Sequence, residues 1–143
     1  SKFSSIIGSL VAVPLFRIEN FEYKRQITLP LAYKEFLLSM GLEAGSIFSG
    51  SDYSFDLLHE LQHEAKKIYK ARMNEELDKN QFIILIHQNY SFYSINLEDG
   101  DNPSVYMFID GDEPAKLEKK FESFSEFLEF QINNHLKLNK IAP

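Results

Sequence analysis

The spacing of apolar residues changes twice along the chain, and those changes predict its elements. Between Phe16 and Arg25, Ile18, Phe21 and Arg25 fall on one side of a short helical or irregular stretch. In "ITLPLAYKEFLLSMG" (27–41), Tyr33, Phe36, Leu37 and Met40 recur at helical spacing and predict a core-facing stripe. Pro30 suits the first helical position, where its missing N–H costs nothing. Gly41 suits a left-handed helix end. Residues 42–55 read as turns and extended pieces, with Gly45 and Gly50 among them, and a strand is expected over 53–57. A second long helix is expected from Leu58 to Leu77, with its exit at Asn80.

The period then shortens. "QFIILIH" (81–87) is a continuous apolar run, as in a central buried strand. "SFYSINLED" (91–99) alternates and predicts a half-buried strand, with Gln88-Asn89-Tyr90 turning between the two. A polar turn over 98–104 leads to a third strand over 105–110, which gives an antiparallel meander. Ser123 and Glu126 form the pattern of a capping box. Behind them Phe124, Phe127, Leu128 and Ile132 make a stripe expected to close over one sheet face. Helices, then sheet, then helix imply an α+β fold: one domain over 1–143, an antiparallel sheet of about four strands packed with helices.

The most apolar run, "IIGSLVAVPLF" (6–16), is about half the roughly 20 residues needed to cross a bilayer. Pro14 interrupts it and no small-residue cleavage site follows, so residues 1–17 are expected to form a buried or docked N-terminal arm. The chain begins with Ser, which points to a trimmed or processed start. With 143 residues, 44% of them hydrophobic, and 13 Phe and 7 Tyr, there is enough material for a core without staples.

Charge and cysteine usage narrow the chemistry. Twenty-one acidic against 15 basic residues give a net charge of −6, which disfavours nucleic acid and anionic membranes as partners; it suits a basic protein partner, and equally serves only to keep a cytosolic protein soluble. There is no cysteine, which excludes disulfides, thiolate zinc sites and a Cys nucleophile, and fits a reducing, cytoplasmic setting.

One pentapeptide carries a catalytic signature. His59-Glu60-Leu61-Gln62-His63 matches H-E-x-x-H, in which two imidazoles four apart on a helix hold zinc and the glutamate activates a bound water. That reading makes the protein a small zinc hydrolase. The helical phase argues against it. Leu57, Leu58, Leu61, Ala65, Ile68 and Tyr69 cluster within an arc of about 120°. The two histidines lie nearly opposite, beside Lys66 and Lys70. Ammonium groups next to a dication are electrostatically costly. No third ligand is evident, so no metal or cofactor is expected. His87 and His135 read as structural histidines. The acidic pairs "EDGD" (98–101) and "DGDE" (110–113) read as turns rather than cation loops. There is no phosphate loop and no G-x-S-x-G elbow.

Taken in order, the motifs resemble a known family. "IENFEYKRQITLPLAYKEFLLSMG" is similar to the opening signature of the SUKH superfamily, the Smi/Knr-like cell-wall-assembly regulators and bacterial immunity proteins. Ile18, Glu19 and Glu22 fit its first part; Leu29, Pro30, Tyr33, Phe36 and Leu37 fit its second. The turn after it departs from the family's Asn-Gly-Gly. "FDLLHEL", "FIILIHQNYSFYSINLED", "NPSVYMFIDGDEP" and "FESFSEFLEF" resemble the later segments, so the likeness runs from about 18 to 132. It implies a non-enzymatic protein-binding domain, with a cognate protein toxin, such as a nuclease, as partner. A structural scaffold unconnected to toxins is the other role the family implies. The expected contacts are Tyr90 as an anchor, with Glu98, Asp99, Asp101, Asp110, Asp112 and Glu113 in the sheet-edge turns. A monomer or weak homo-oligomer is expected.

Overall fold

The computed structural model describes residues 8–141. In chain order the elements are β1 (Leu10–Val11), α1 (Leu15–Arg25), α2 (Leu31–Met40), β2 (Glu43–Ala44), β3 (Ser51–Asp52), α3 (Leu58–Met73), β4 (Gln81–His87), β5 (Ser91–Asn96), β6 (Val105–Ile109), β7 (Glu118–Phe121) and α4 (Phe124–Ile141). Strands β3 to β7 form one five-stranded antiparallel sheet in sequence order, and β1 pairs with β2 in a second small sheet. The fold is α+β, with one strand more than expected in the main sheet.

The described part of the N-terminal arm docks as a strand. Val13 is buried and its N–H donates to Leu37 O at 2.9 Å. The arm ends at Pro14, earlier than position 17. Leu15 and Phe16 already belong to α1 and are 53% and 71% exposed. Ile6 and Ile7 lie outside the described residues. From α1, Ile18 is fully buried and Phe21 packs on Phe55 and Phe82. Glu22 closes the turn into α2. It accepts the Leu29 N–H at 2.7 Å and lies 3.4 Å from Lys34 Nζ.

Several local expectations are corrected by tertiary contact. Pro30 is the N-cap of α2, one position before the helix. Gly41 is right-handed, at φ −70° and ψ −23°. Its lack of a side chain matters for another reason: a Cβ there would lie 2.7 Å from both Leu37 Cα and Val13 Cγ2, where the N-terminal arm crosses the helix end. Residues 53–57 form no strand. β3 ends at Asp52, and Phe55–Leu57 make one 3₁₀ turn. That turn changes the helical phase, so Leu57 is exposed rather than part of the stripe. Helix α3 ends at Met73, because Asn74 takes the left-handed conformation (φ 57°). The Ser123 hydroxyl accepts the Glu126 N–H at 3.1 Å, which is the N-cap half of the expected box.

Strand β5 ends at Asn96 and is buried on both faces, not one. Cross-strand register explains this. Phe92 stands opposite Ile86 and Phe108; Tyr93 stands opposite Leu85 and Met107, on the other face. Helix α3 covers the first face, with Tyr69 5.2 Å from Phe108 between ring centroids. Helices α1, α2 and α4 cover the second. There Tyr33 meets Phe82 and Phe124, and Phe127 meets Phe48, Tyr93 and Phe121. Each such ring contributes roughly 2–3 kcal/mol on burial, so most of the phenylalanines are spent on this double cladding. Strand β7 was not foreseen: "EKKF" has little apolar character, and only β6 recruits it.

The outer edge of β4 is finished by a side chain. Strand β3 pairs only with Ile86 and His87. At Ile83 the buried Gln62 amide takes the place of a neighbouring peptide. It accepts the Ile83 N–H at 2.8 Å and donates to Ile83 O at 2.8 Å.

Candidate partner-binding surface

All seven acidic or aromatic positions singled out in the sequence are exposed, but the meander divides them between two ends of the sheet. Glu98, Asp99 and Asp101 lie in the β5–β6 turn. Tyr90 lies in the β4–β5 turn, and Asp110, Asp112 and Glu113 follow β6 at that same, opposite end.

The β5–β6 turn is tied to two helix starts. Helix α2 has no side-chain cap, and its Ala32 N–H donates instead to Asp101 O at 2.8 Å. The Ser125 N–H, in the first turn of α4, donates to Asn102 Oδ1 at 3.1 Å. Asp99 Oδ2 accepts the Ser104 N–H at 2.9 Å, and Gly100 supplies a positive φ of 80°. The turn's carbonyl and amide oxygens thus cap two helix starts, and the Asp99 carboxylate holds the turn itself.

At the other end, Asp110 N–H donates to Tyr90 O at 2.8 Å, which joins the two turns. Arg72, at the end of α3, donates to Asp112 O at 2.8 Å and to Glu113 Oε2 at 3.0 Å. Gln88 and Asn89 form the hairpin tip with φ of 50° and 63°, two consecutive non-glycine residues in the left-handed region. The twist of the hairpin demands that conformation.

Beside this tip is a groove of about 310 Å³. Its floor is two adjacent cross-strand rows on the α4 face. The outer row is Ser51, His87, Ser91 and Ile109; the inner row is Leu85, Tyr93 and Met107. The β2–β3 loop supplies Ile47, Phe48 and Ser49 as one wall, and Gln131 of α4 and Tyr90 complete the lining. The groove exists because the outer row carries the small side chains of Ser51 and Ser91, the latter two residues from the bulky Tyr93 of the inner row. The inward face of α4 also changes from Phe124 and Phe127 to Gln131 and His135 as it passes over this end. His87 Nδ1 and Ser51 Oγ are hydrogen-bonded at 2.8 Å, and His135 Nε2 and Ser46 Oγ at 2.9 Å, so both histidines have partners within the fold. No local sequence signal marks the groove, whose lining comes from segments far apart in the chain. The left-handed Gln-Asn tip is the one part that turn chemistry flags.

The H-E-x-x-H residues do not build a metal centre. His59, Glu60 and His63 are exposed on the outer side of α3, and the Arg25 guanidinium donates to His59 Nδ1 at 3.0 Å. A cation already occupies the place beside that ring. Among the described residues, no three His, Cys, Asp or Glu side chains converge in a way that could hold a metal ion. Nor is any described helix long and apolar enough to cross a membrane.

The fold and its surfaces define an α+β domain whose sheet is clad by helices on both faces, with conspicuous chemistry in turns and a groove rather than in a buried catalytic cluster. The chain belongs to the SMI1 / KNR4 family (SUKH-1), whose family model matches residues 16–129. No curated protein matches it. The family's sequence positions in this chain are structural: Ile18, Leu29, Tyr33, Phe36 and Leu37 are core, and Glu22 and Pro30 shape the α1–α2 turn.

Proposed function

We propose that the protein is a non-enzymatic, cytoplasmic immunity protein that binds and neutralises a cognate protein toxin. The observation that carries this reading is membership of the SUKH family, known for immunity proteins, across most of the chain. Its net charge of −6 supports it, because a nucleic-acid-cleaving toxin presents a basic surface and charge complementarity speeds encounter. Tyr90, Glu98, Asp99, Asp101, Asp110, Asp112 and Glu113 are the proposed contacts, and all are accessible. Inhibition needs only steric cover of the toxin's cleft, so no catalytic residue and no cofactor enters.

The test is a growth assay. A secreted-toxin gene sought beside this protein's gene is induced with and without the protein, and the pair is then co-purified; a neighbourhood without one counts against the reading. Rescue of growth together with a stoichiometric complex is the expected result. Failure of both rescue and complex formation with the neighbouring toxin would remove the reading.

A further inference from the structure

We infer that the partner is held at one end of the sheet only, by the hairpin tip Gln88–Tyr90 and the groove behind it, which narrows the seven proposed contacts to those at that end and drops Glu98, Asp99 and Asp101. The ligand chemistry is a protein segment that carries a large apolar side chain next to a lysine or arginine. This deepens the toxin-binding proposal and rests on it for the identity of the partner.

Three observations converge on that end. The first is the groove. Its apolar floor of Leu85, Tyr93, Met107 and Ile109 is rimmed by the hydrogen-bonding groups of serines, Gln131, His87 and Tyr90, and no Asp, Glu, Lys or Arg lines it. At about 310 Å³ it lies at the small end of ligand-site volumes, room for one or two side chains rather than a whole element. An apolar anchor is what such a lining accepts, and the serines and Gln131 offer partners to the anchor's backbone.

The second is charge. Asp110 is bonded through its N–H to Tyr90 O at the groove's rim. Its carboxylate makes no ion pair among the described residues, whereas Glu113 nearby is paired with Arg72. A cation on the incoming segment, one residue from the anchor, supplies the missing partner. The β5–β6 turn also carries carboxylates without an ion pair among the described residues, but its Asp101 O and Asn102 Oδ1 are committed to two helix starts and none of its residues lines the groove.

The third is the hairpin tip. Glycine adopts positive φ without penalty and asparagine tolerates it, yet Gln88 occupies the first position and is exposed. Backbone strain retained at Gln88 in an exposed turn beside a groove is explained if its side chain is used for contact.

The experiment titrates the ¹⁵N-labelled full chain with three capped tripeptides, Ac-Lys-Phe-Lys-NH₂, Ac-Lys-Ala-Lys-NH₂ and Ac-Glu-Phe-Glu-NH₂. The first is expected to shift amides of residues 47–51, 87–93 and 107–110, and the other two to bind at least fivefold more weakly. Ser49→Trp, at an exposed position, fills the groove and abolishes the shifts. Asp110→Lys reverses the preference for lysine over glutamate. Gln88→Gly relieves strain, so it cannot fail through misfolding; it raises Tm and weakens peptide binding at least threefold. Equal shifts with all three peptides, shifts centred on 98–101, or binding that survives Ser49→Trp and Gln88→Gly would overturn the inference.

The growth assay separates the two proposals. If the wild type rescues and Ser49→Trp rescues equally, the site is wrong and the toxin reading stands. If the wild type fails to rescue while the peptide pattern holds, the toxin reading is wrong and the groove remains a binding site.

Discussion

Gln62 and Ile83 form a closed pair of hydrogen bonds, each 2.8 Å long, in which a side-chain amide acts as the neighbouring strand that β4 lacks at that point. The same pentapeptide that resembles a zinc motif therefore points its middle inward: Leu61 and Gln62 are buried, and His59 and His63 face water. Gln62→Ala strips partners from a buried N–H and a buried C=O. Each such loss costs about 1–3 kcal/mol. We expect a destabilisation of about 3 kcal/mol in urea unfolding, and early hydrogen exchange at Ile83.

Removing His63 has the opposite expectation. The ring is exposed and makes no hydrogen bond among the described residues, so His63→Ala is expected to change stability by less than about 0.5 kcal/mol. Zinc added at stoichiometric concentration is expected to leave Tm unchanged in both proteins. A rise in Tm with zinc that His63→Ala abolishes would contradict the surface geometry described above.

Gly41→Ala tests the docked arm. Because Gly41 has a right-handed backbone, alanine is conformationally acceptable there, and a purely C-terminal capping role predicts little effect. The 2.7 Å approach of a Cβ to Leu37 Cα and Val13 Cγ2 predicts overpacking instead, at about 1–3 kcal/mol. Loss of amide protection at Val13 is the specific readout, since its N–H bonds to Leu37 O.

Asn102 tests the wiring of the β5–β6 turn. Asn102→Ala removes the acceptor for Ser125 N–H, at a cost of about 1 kcal/mol, typical of a lost helix cap. Fraying is expected in the first turn of α4, visible as faster exchange at Ser125. Asp110→Ala, at the other end, is expected to leave α4 unaffected.

Lys120 of β7 at 2.8 Å and Lys116, just before that strand, at 3.2 Å hydrogen-bond to the Glu118 carboxylate and hold its pKa below the ordinary glutamate value. A depressed folded-state pKa means that this group's contribution to stability is present above the ordinary value. It is lost as pH falls through the depressed one. A carbon-detected titration of Glu118 should find the lowered midpoint, and Lys120→Ala should move it up toward the ordinary range. The stability effect is expected to be small because the group is exposed.

Much of the architecture was legible in order and type. The helices around residues 31–40 and 124–132, the strand limits of 81–87 and the meander follow from periods of 3.6 and 2, which are properties of neighbouring residues. The exits of α3 and the strand expected at 53–57 were misjudged, because Asn74 and a 3₁₀ turn depend on what surrounds them. The seven proposed contact residues were recognisable as exposed turn chemistry. Their division between opposite ends was not, since an antiparallel strand of six residues separates turns that are adjacent in sequence.

The sequence by itself determined the central helices, the strands of the meander over 81–109, the family signature and the absence of thiol chemistry. The tertiary structure decided which faces those segments share. It buried β5 on both sides and recruited β7. It turned Gln62 into the edge partner of β4, and it assembled a groove from two cross-strand rows, a loop and one helix. The reason is physical: periodicity records where a side chain points relative to its neighbours in the chain, whereas burial and binding depend on what stands opposite, and that is fixed only when distant segments pack.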